Sequence, residues 1–329
     1  MNYKSIISRV PKGKSAKAKD VIFFAIKIVI ASGLLIYIIN KINFREFAGV
    51  IRNAKPSFLL FGFSLLAGNL YLQFKKWELT CGNFLNEKDK SKILRSLFAG
   101  FSAGTFTPAR IGEYFGRALP FKEKPFFQIT AATFVDKLYP LIIVTLIGSV
   151  CSALYIFYYY HASFYLSLFV LIFLLSILFI TIYLAVKPGF LETLAGKIFP
   201  NNEKISTYLE GTRLFRKPDR RYSIKMIFLS LMFYLCYISQ FSLFIAAYSG
   251  NYDFLHYIWA ANLVMFTKSL IPSISFAELG IREGAAVYFL GSMGLTGVVA
   301  FNAAITLFFI NVLFPSITGL FFMMKKENA

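Results

Sequence analysis

Of 329 residues, 57% are hydrophobic and only 16% charged, and the mean hydropathy is +0.62, which excludes an ordinary soluble domain, where charged residues alone approach about a quarter. The formal charge of +19 is spread over loops between apolar stretches instead of one basic face, so it argues for membrane topology and anionic lipid and against nucleic acid. Cys81, Cys151 and Cys236 lack metal-ligand spacing and no G-x-x-x-x-G-K-[ST] loop occurs, so neither a metal nor another cofactor is expected and no ATP site is apparent.

In chain order, a basic tail (1–20, with Lys4, Arg9, Lys12, Lys14, Lys17 and Lys19) precedes a first span, Val21 to Ile39, long enough to be a retained anchor instead of a cleaved signal. Ser57 to Phe74, Leu138 to Tyr160, Ser163 to Val186, Ile224 to Ser249 and Val298 to Met323 complete six spans. Lys75, Lys76, Lys88, Lys90 and Lys92 after the second span, the loop with Arg213, Arg216, Lys217, Arg220 and Arg221, and Lys325 and Lys326 at the end place these stretches and both termini on the cytoplasmic side of the cell (inner) membrane. His161 and the break at Asn251 to Leu255 belong outside, and His161 and His256 read as solvated interface residues. Lys41, Arg45, Arg52 and Lys55 contradict the scheme, because they fall in a loop that it places outside.

Two interrupted apolar stretches remain, 93–137 and 257–295. Charge bookkeeping makes each a broken hairpin that re-enters or crosses twice. The chain then reads as an all-α polytopic membrane protein: a first half (21–186), a cytoplasmic amphipathic linker (187–223), a second half (224–323) of opposite orientation, and a tail (324–329). That is the inverted-repeat plan of secondary transporters. The linker, with apolar residues at helical spacing and an Arg213 to Lys225 cluster, fits short helices on an anionic inner leaflet or a plain solvated connection.

The first hairpin contains GTFTPARIGEYFGR, in which Thr107 reads as an N-cap and Pro108 as the first helical residue, with Arg110 in the first turn and Arg117 further along the same face. Backbone N–H groups at such a start suit a phosphate. The second hairpin contains LIPSISFAELGIREG, in which Ser275 and Glu278 have capping-box spacing. Glu113 with Arg117, and Glu278 with Arg282, stand one turn apart. Gly112 and Gly280 read as positions of close helix approach. A charge at the bilayer centre costs about 2.5–3.5 kcal/mol, so Arg110, Glu113, Arg117, Asp136, Lys137, Lys268, Glu278, Arg282 and Glu283 either neutralise one another across the hairpins or line a polar cavity. Asp136 and Lys137 fit equally a stop at the cytoplasmic edge.

TPARIGEYFGR, ATFVDK before a long span, and IPSISFAELGIREGAAV resemble the motifs of the flippase-like transmembrane family typified by the N-terminal membrane domain of lysylphosphatidylglycerol synthases, from about Val21 to Met323. Tyr139 and Pro140 depart from it where an acid often follows the residue aligned with Lys137, as does Glu278 where small residues are common. The resemblance implies a domain that moves lipid between leaflets. Lysyl transfer belongs to a separate soluble domain in that family and is not expected of a chain that stops at Ala329. The substrate-binding set is then Arg110, Glu113, Arg117, Glu278, Arg282 and Glu283, supported by Thr107, Pro108, Asp136, Lys137, Ser275 and Lys268, around a phosphate-bearing headgroup. The alternatives are an intramembrane enzyme on a lipid-linked substrate, with Glu113 or Glu283 as base, and a non-transporting subunit of an envelope assembly. No nucleophile or acid–base dyad stands out for the enzyme.

Overall fold

The structure, a computed structural model, describes residues 52, 54–105, 107–186, 219–271 and 280–324. The expectations for the basic tail, the first span, most of the linker, Ser275 and Glu278 fall outside them. Every element among the described residues is helical. Pro56 opens α1 (Pro56–Thr80), which continues through a π turn to Leu85 and stops at Asn86, whose left-handed backbone lets its N–H reach the Cys81 carbonyl. Asp89 accepts the Ser91 N–H and starts α2 (Lys90–Thr105). A short α3 (Gly112–Ala118) follows, then α4 (Phe126–Tyr159) and α5 (Phe164–Val186). The second half begins with α6 (Arg220–Ser249), ended by Gly250 at φ 72°. Asp253 caps α7 (Phe254–Leu270), Gly280 precedes α8 (Ile281–Ser292), and Thr296 caps α9 (Gly297–Phe308), which passes through a π turn, Phe309–Leu313, into α10 (Phe314–Met324).

Five stretches are long and apolar enough to cross a membrane: Pro56–Leu85, Phe126–Tyr159, Phe164–Tyr183, Arg220–Ser249 and Gly297–Phe321. They match the five expected spans that fall within the described residues, and the protein is an all-α, multi-pass membrane protein. Two boundaries differ. α1 runs on past Phe74, and α4 begins at Phe126, so the last part of the expected 93–137 hairpin is already helix. In both places charged residues end the hydropathy window although the helix continues through them and buries Lys76 and Asp136. α3 and α8, with seven and 12 residues, are too short to cross about 30 Å of hydrocarbon.

α1 and α6, the first described helices of the two halves, run antiparallel. The Lys55 N–H donates to the Ala247 carbonyl (2.9 Å), Gln240 to that of Gly62 (2.9 Å), Cys236 to that of Leu65 (3.4 Å), and the Thr80 and Tyr222 hydroxyls meet at 3.0 Å. Two further contacts between the halves are reciprocal: α2 of the first half packs on α10 of the second, and α7 of the second on α4 of the first. Each crossing is seated on a glycine. A Cβ at Gly319 would lie 2.1 Å from the Phe98 carbonyl, and one at Gly148 2.4 Å from the Phe266 ring. Buried apolar side chains form one cluster around Trp77, Leu97, Phe121 and Ile129 and another around Phe241, Phe244, Ala261 and Leu307, and α6 contributes to both.

Candidate functional site

The chain between α2 and α3 places the first charges. Pro108–Arg110 is a single tight turn in which Ala109 and Arg110 adopt left-handed backbone (φ 49° and 54°), so the helix starts only at Gly112. This corrects the expectation that Thr107 and Pro108 are its N-cap and first residue: two left-handed residues reverse the chain before any helix can form. Thr107 still serves the helix start, because its Oγ1 accepts the Gly112 N–H at 2.7 Å and donates back to the Ala103 carbonyl at 3.1 Å. Gly112 behaves as expected, since a Cβ there would lie 2.2 Å from the Ala103 carbonyl. α3 therefore lies directly on α2 and projects Glu113 and Arg117 inward.

Glu113 is 1% exposed and accepts charge from both ends of its carboxylate. Arg117 Nη2 donates to Oε1 (2.8 Å), while Lys137 Nζ (2.6 Å) and Arg110 Nη2 (3.2 Å) converge on Oε2. Arg117 Nη1 also donates to Asp136 Oδ2 at 2.8 Å, and Lys76 Nζ stands 3.7 Å from Asp136 Oδ1. The guanidinium of Arg117 lies 4.3 Å from the centre of the Trp77 ring, whose N–H donates to Ser96 Oγ (3.2 Å); Ser96 in turn donates to the Arg117 carbonyl (2.7 Å). Thus four of the expected residues of the first half, Glu113, Arg117, Asp136 and Lys137, form one network with Arg110. Asp136 is 3% exposed, so it is no surface stop. The open side is formed by the side chains of Arg110 (26% exposed) and Lys137 (33%).

Sequence reasoning missed Lys76, Trp77 and Ser96. By sequence Lys76 reads with Lys75 as a loop charge, but α1 continues through both, and side chains one residue apart on a helix diverge by about 100°. Lys75 therefore faces outward and binds Glu78 (2.7 Å), whereas Lys76 is buried. The signal available was two consecutive lysines just inside the reach of a long helix. Trp77, just past the end of the expected span, is wholly buried. Lys76 and Asp136 sit about 10–12 Å from the midpoints of their helices, so the network lies toward the end of the bundle carrying Lys75, Lys90 and Lys225.

In the second half, Arg282 and Glu283 are both buried at the start of α8. Glu283 Oε2 accepts the Gly280 N–H at 2.7 Å, which caps the helix, and the Arg282 guanidinium lies 5.9 Å from the Phe308 ring on α9. Gly280 corrects another expectation: among the described residues nothing lies within 4 Å of a Cβ there, and the φ of 95° is what calls for glycine. Lys268, in the last turn of α7, lies 6.0 Å from the Tyr237 ring. Among the described residues, no ion pair links these side chains to the first-half network. No group of three or more metal-ligating side chains occurs among the described residues either.

No curated protein matches the chain at a significant level. The family model described as the lysylphosphatidylglycerol synthase TM region matches residues 24–319, nearly the whole chain and all but the last residues of the helical bundle just described, and the chain belongs to that family.

Proposed function

We propose that the protein carries a phosphate-bearing lipid headgroup between leaflets, and that the headgroup docks on the open side of the buried charge network. One observation carries this reading: Arg110 and Lys137, both partly exposed, converge on a single oxygen of the buried Glu113. Lys76, Arg117 and Lys137 alone outnumber Glu113 and Asp136, so the network keeps positive charge after its internal pairing. In a low-dielectric setting such an excess favours an anionic ligand, and a phosphate can take over lone-pair contacts to Arg110 and Lys137 without exposing Glu113. The antiparallel, reciprocally packed halves support an alternating exposure of the two sides. In the same reading the basic end of the bundle faces the cytoplasm of the cell (inner) membrane.

Leaflet exchange of a fluorescent phospholipid in proteoliposomes tests the proposal. Arg110→Gln combined with Lys137→Gln removes the open-side cations but leaves the Glu113–Arg117–Asp136 core. Exchange should fall at least roughly tenfold, the effect of losing one charge-assisted phosphate contact. Unchanged exchange by a folded double variant would remove the site from the pathway.

A further inference from the structure

The outer surface of α1 and α6 carries a second feature, on the far side of α1 from the charge network. At the basic end of the two antiparallel helices lies a lateral groove of about 690 Å³ lined by Tyr71, Lys75, Glu78, Leu79, Gly82 and Asn83 of α1 and its π turn and by Ile224, Lys225, Phe228 and Leu229 of α6. From Tyr71 to Asn83 the groove spans about 18 Å, close to the reach of an acyl chain. Its two ends differ in character. Tyr71, Phe228 and Leu229 make the inner end apolar, and Lys75, Glu78, Asn83 and Lys225 make the outer end polar.

The polar end is cationic on balance. Glu78 is bound by Lys75 at 2.7 Å and approached by Lys90 at 3.9 Å, and Lys225 is exposed beside them. Three lysines therefore stand against one carboxylate at this end of the groove, and a basic helix end of this kind is where anionic headgroups are attracted. Gly82 offers no side chain to fill the space, and a Cβ there would meet nothing within 4 Å. α5 provides the contrast, for it turns Phe169, Ile172, Phe173 and Phe179 outward with no charged residue along its length, which is a surface for unselective lipid contact.

We propose that this groove holds one anionic glycerophospholipid of the surrounding bilayer, with its phosphate at Lys75 and Lys225 and an acyl chain along Tyr71 and Phe228. The site is separate from the charge network, and occupancy would tie the ends of α1 and α6 together at the face where the two halves meet.

Photo-crosslinking of the full chain in phosphatidylcholine nanodiscs doped with diazirine-bearing phosphatidylglycerol, followed by peptide mapping, tests the proposal. Adducts should concentrate on 71–83 and 224–229, and their yield should fall roughly fivefold or more in Lys75→Ala/Lys225→Ala, since each surface lysine contributes attraction to anionic lipid. Glu78→Gln should raise the yield. A phosphatidylcholine probe that labels the groove equally well, equal labelling of α5, or crosslinks to a second copy of the chain would overturn the assignment. Lipid exchange measured on the same samples keeps the two proposals apart, because groove labelling without any exchange would sink the transport reading and leave this one standing.

Discussion

Glu113 holds Arg110, Arg117 and Lys137 at once while almost completely excluded from solvent, and its removal leaves buried cations short of an acceptor. Glu113→Gln should therefore cost about 3–5 kcal/mol, read as a large drop in thermal midpoint in detergent. The opposite change is informative because cations are in excess. Lys76→Met deletes a buried charge whose partner Asp136 keeps Arg117, so it should be close to neutral or stabilising by the same assay. A loss for Lys76→Met as large as that for Glu113→Gln would contradict the imbalance. Glu113, Arg117, Asp136 and Lys137 were legible in the sequence because charge inside an apolar run is conspicuous. Lys76 and Trp77 were not, because hydropathy averages over a window and cannot separate the two faces of a helix that outlasts it. Lys55, which defied the positive-inside pattern, has a local reason: its ammonium lies 2.7 Å from the Gly250 carbonyl and from the Tyr252 hydroxyl, at the end of α6 where carbonyls lack helical partners.

At the scale of elements, the spans were readable and the hairpins less so. Length and apolarity mark α4, α5 and α6 without ambiguity, whereas the start of α3 depends on two left-handed residues, Ala109 and Arg110, that no composition rule anticipates. Two glycine substitutions separate the causes at work. Gly319→Ala puts a methyl group onto the Phe98 carbonyl and should cost about 1–3 kcal/mol through overpacking of α10 on α2. Gly280→Ala meets no neighbour among the described residues and should cost about 1–2 kcal/mol through backbone conformation. Thermal unfolding of the two variants checks both values.

For the whole molecule, the opposite running of α1 and α6 is the relation on which an inverted repeat stands. It makes a covalent prediction. A Cβ at Gly68 lies 3.8 Å from Cys236 Sγ, so Gly68→Cys, in a background with Cys81 and Cys151 replaced by Ser, should form a disulfide with native Cys236 under mild oxidation. Helices packed through other faces or in another register would leave the two thiols unreacted, and a mobility shift on a non-reducing gel separates the outcomes. The pairing of halves was legible only as a repeated order of span, hairpin and span. Which helix of one half meets which of the other is a tertiary fact, set by small residues such as Gly148 and Gly319 whose partners lie far away in the chain.

Because α2 rests on α10 and α7 on α4, each half lends the other the wall that its own short helices lack. Self-sufficiency is thus denied to either piece. A gene cut at position 200 should yield two polypeptides that accumulate only when made together and that leave the membrane as a single species on purification, while each made alone falls to the cell's quality-control proteases.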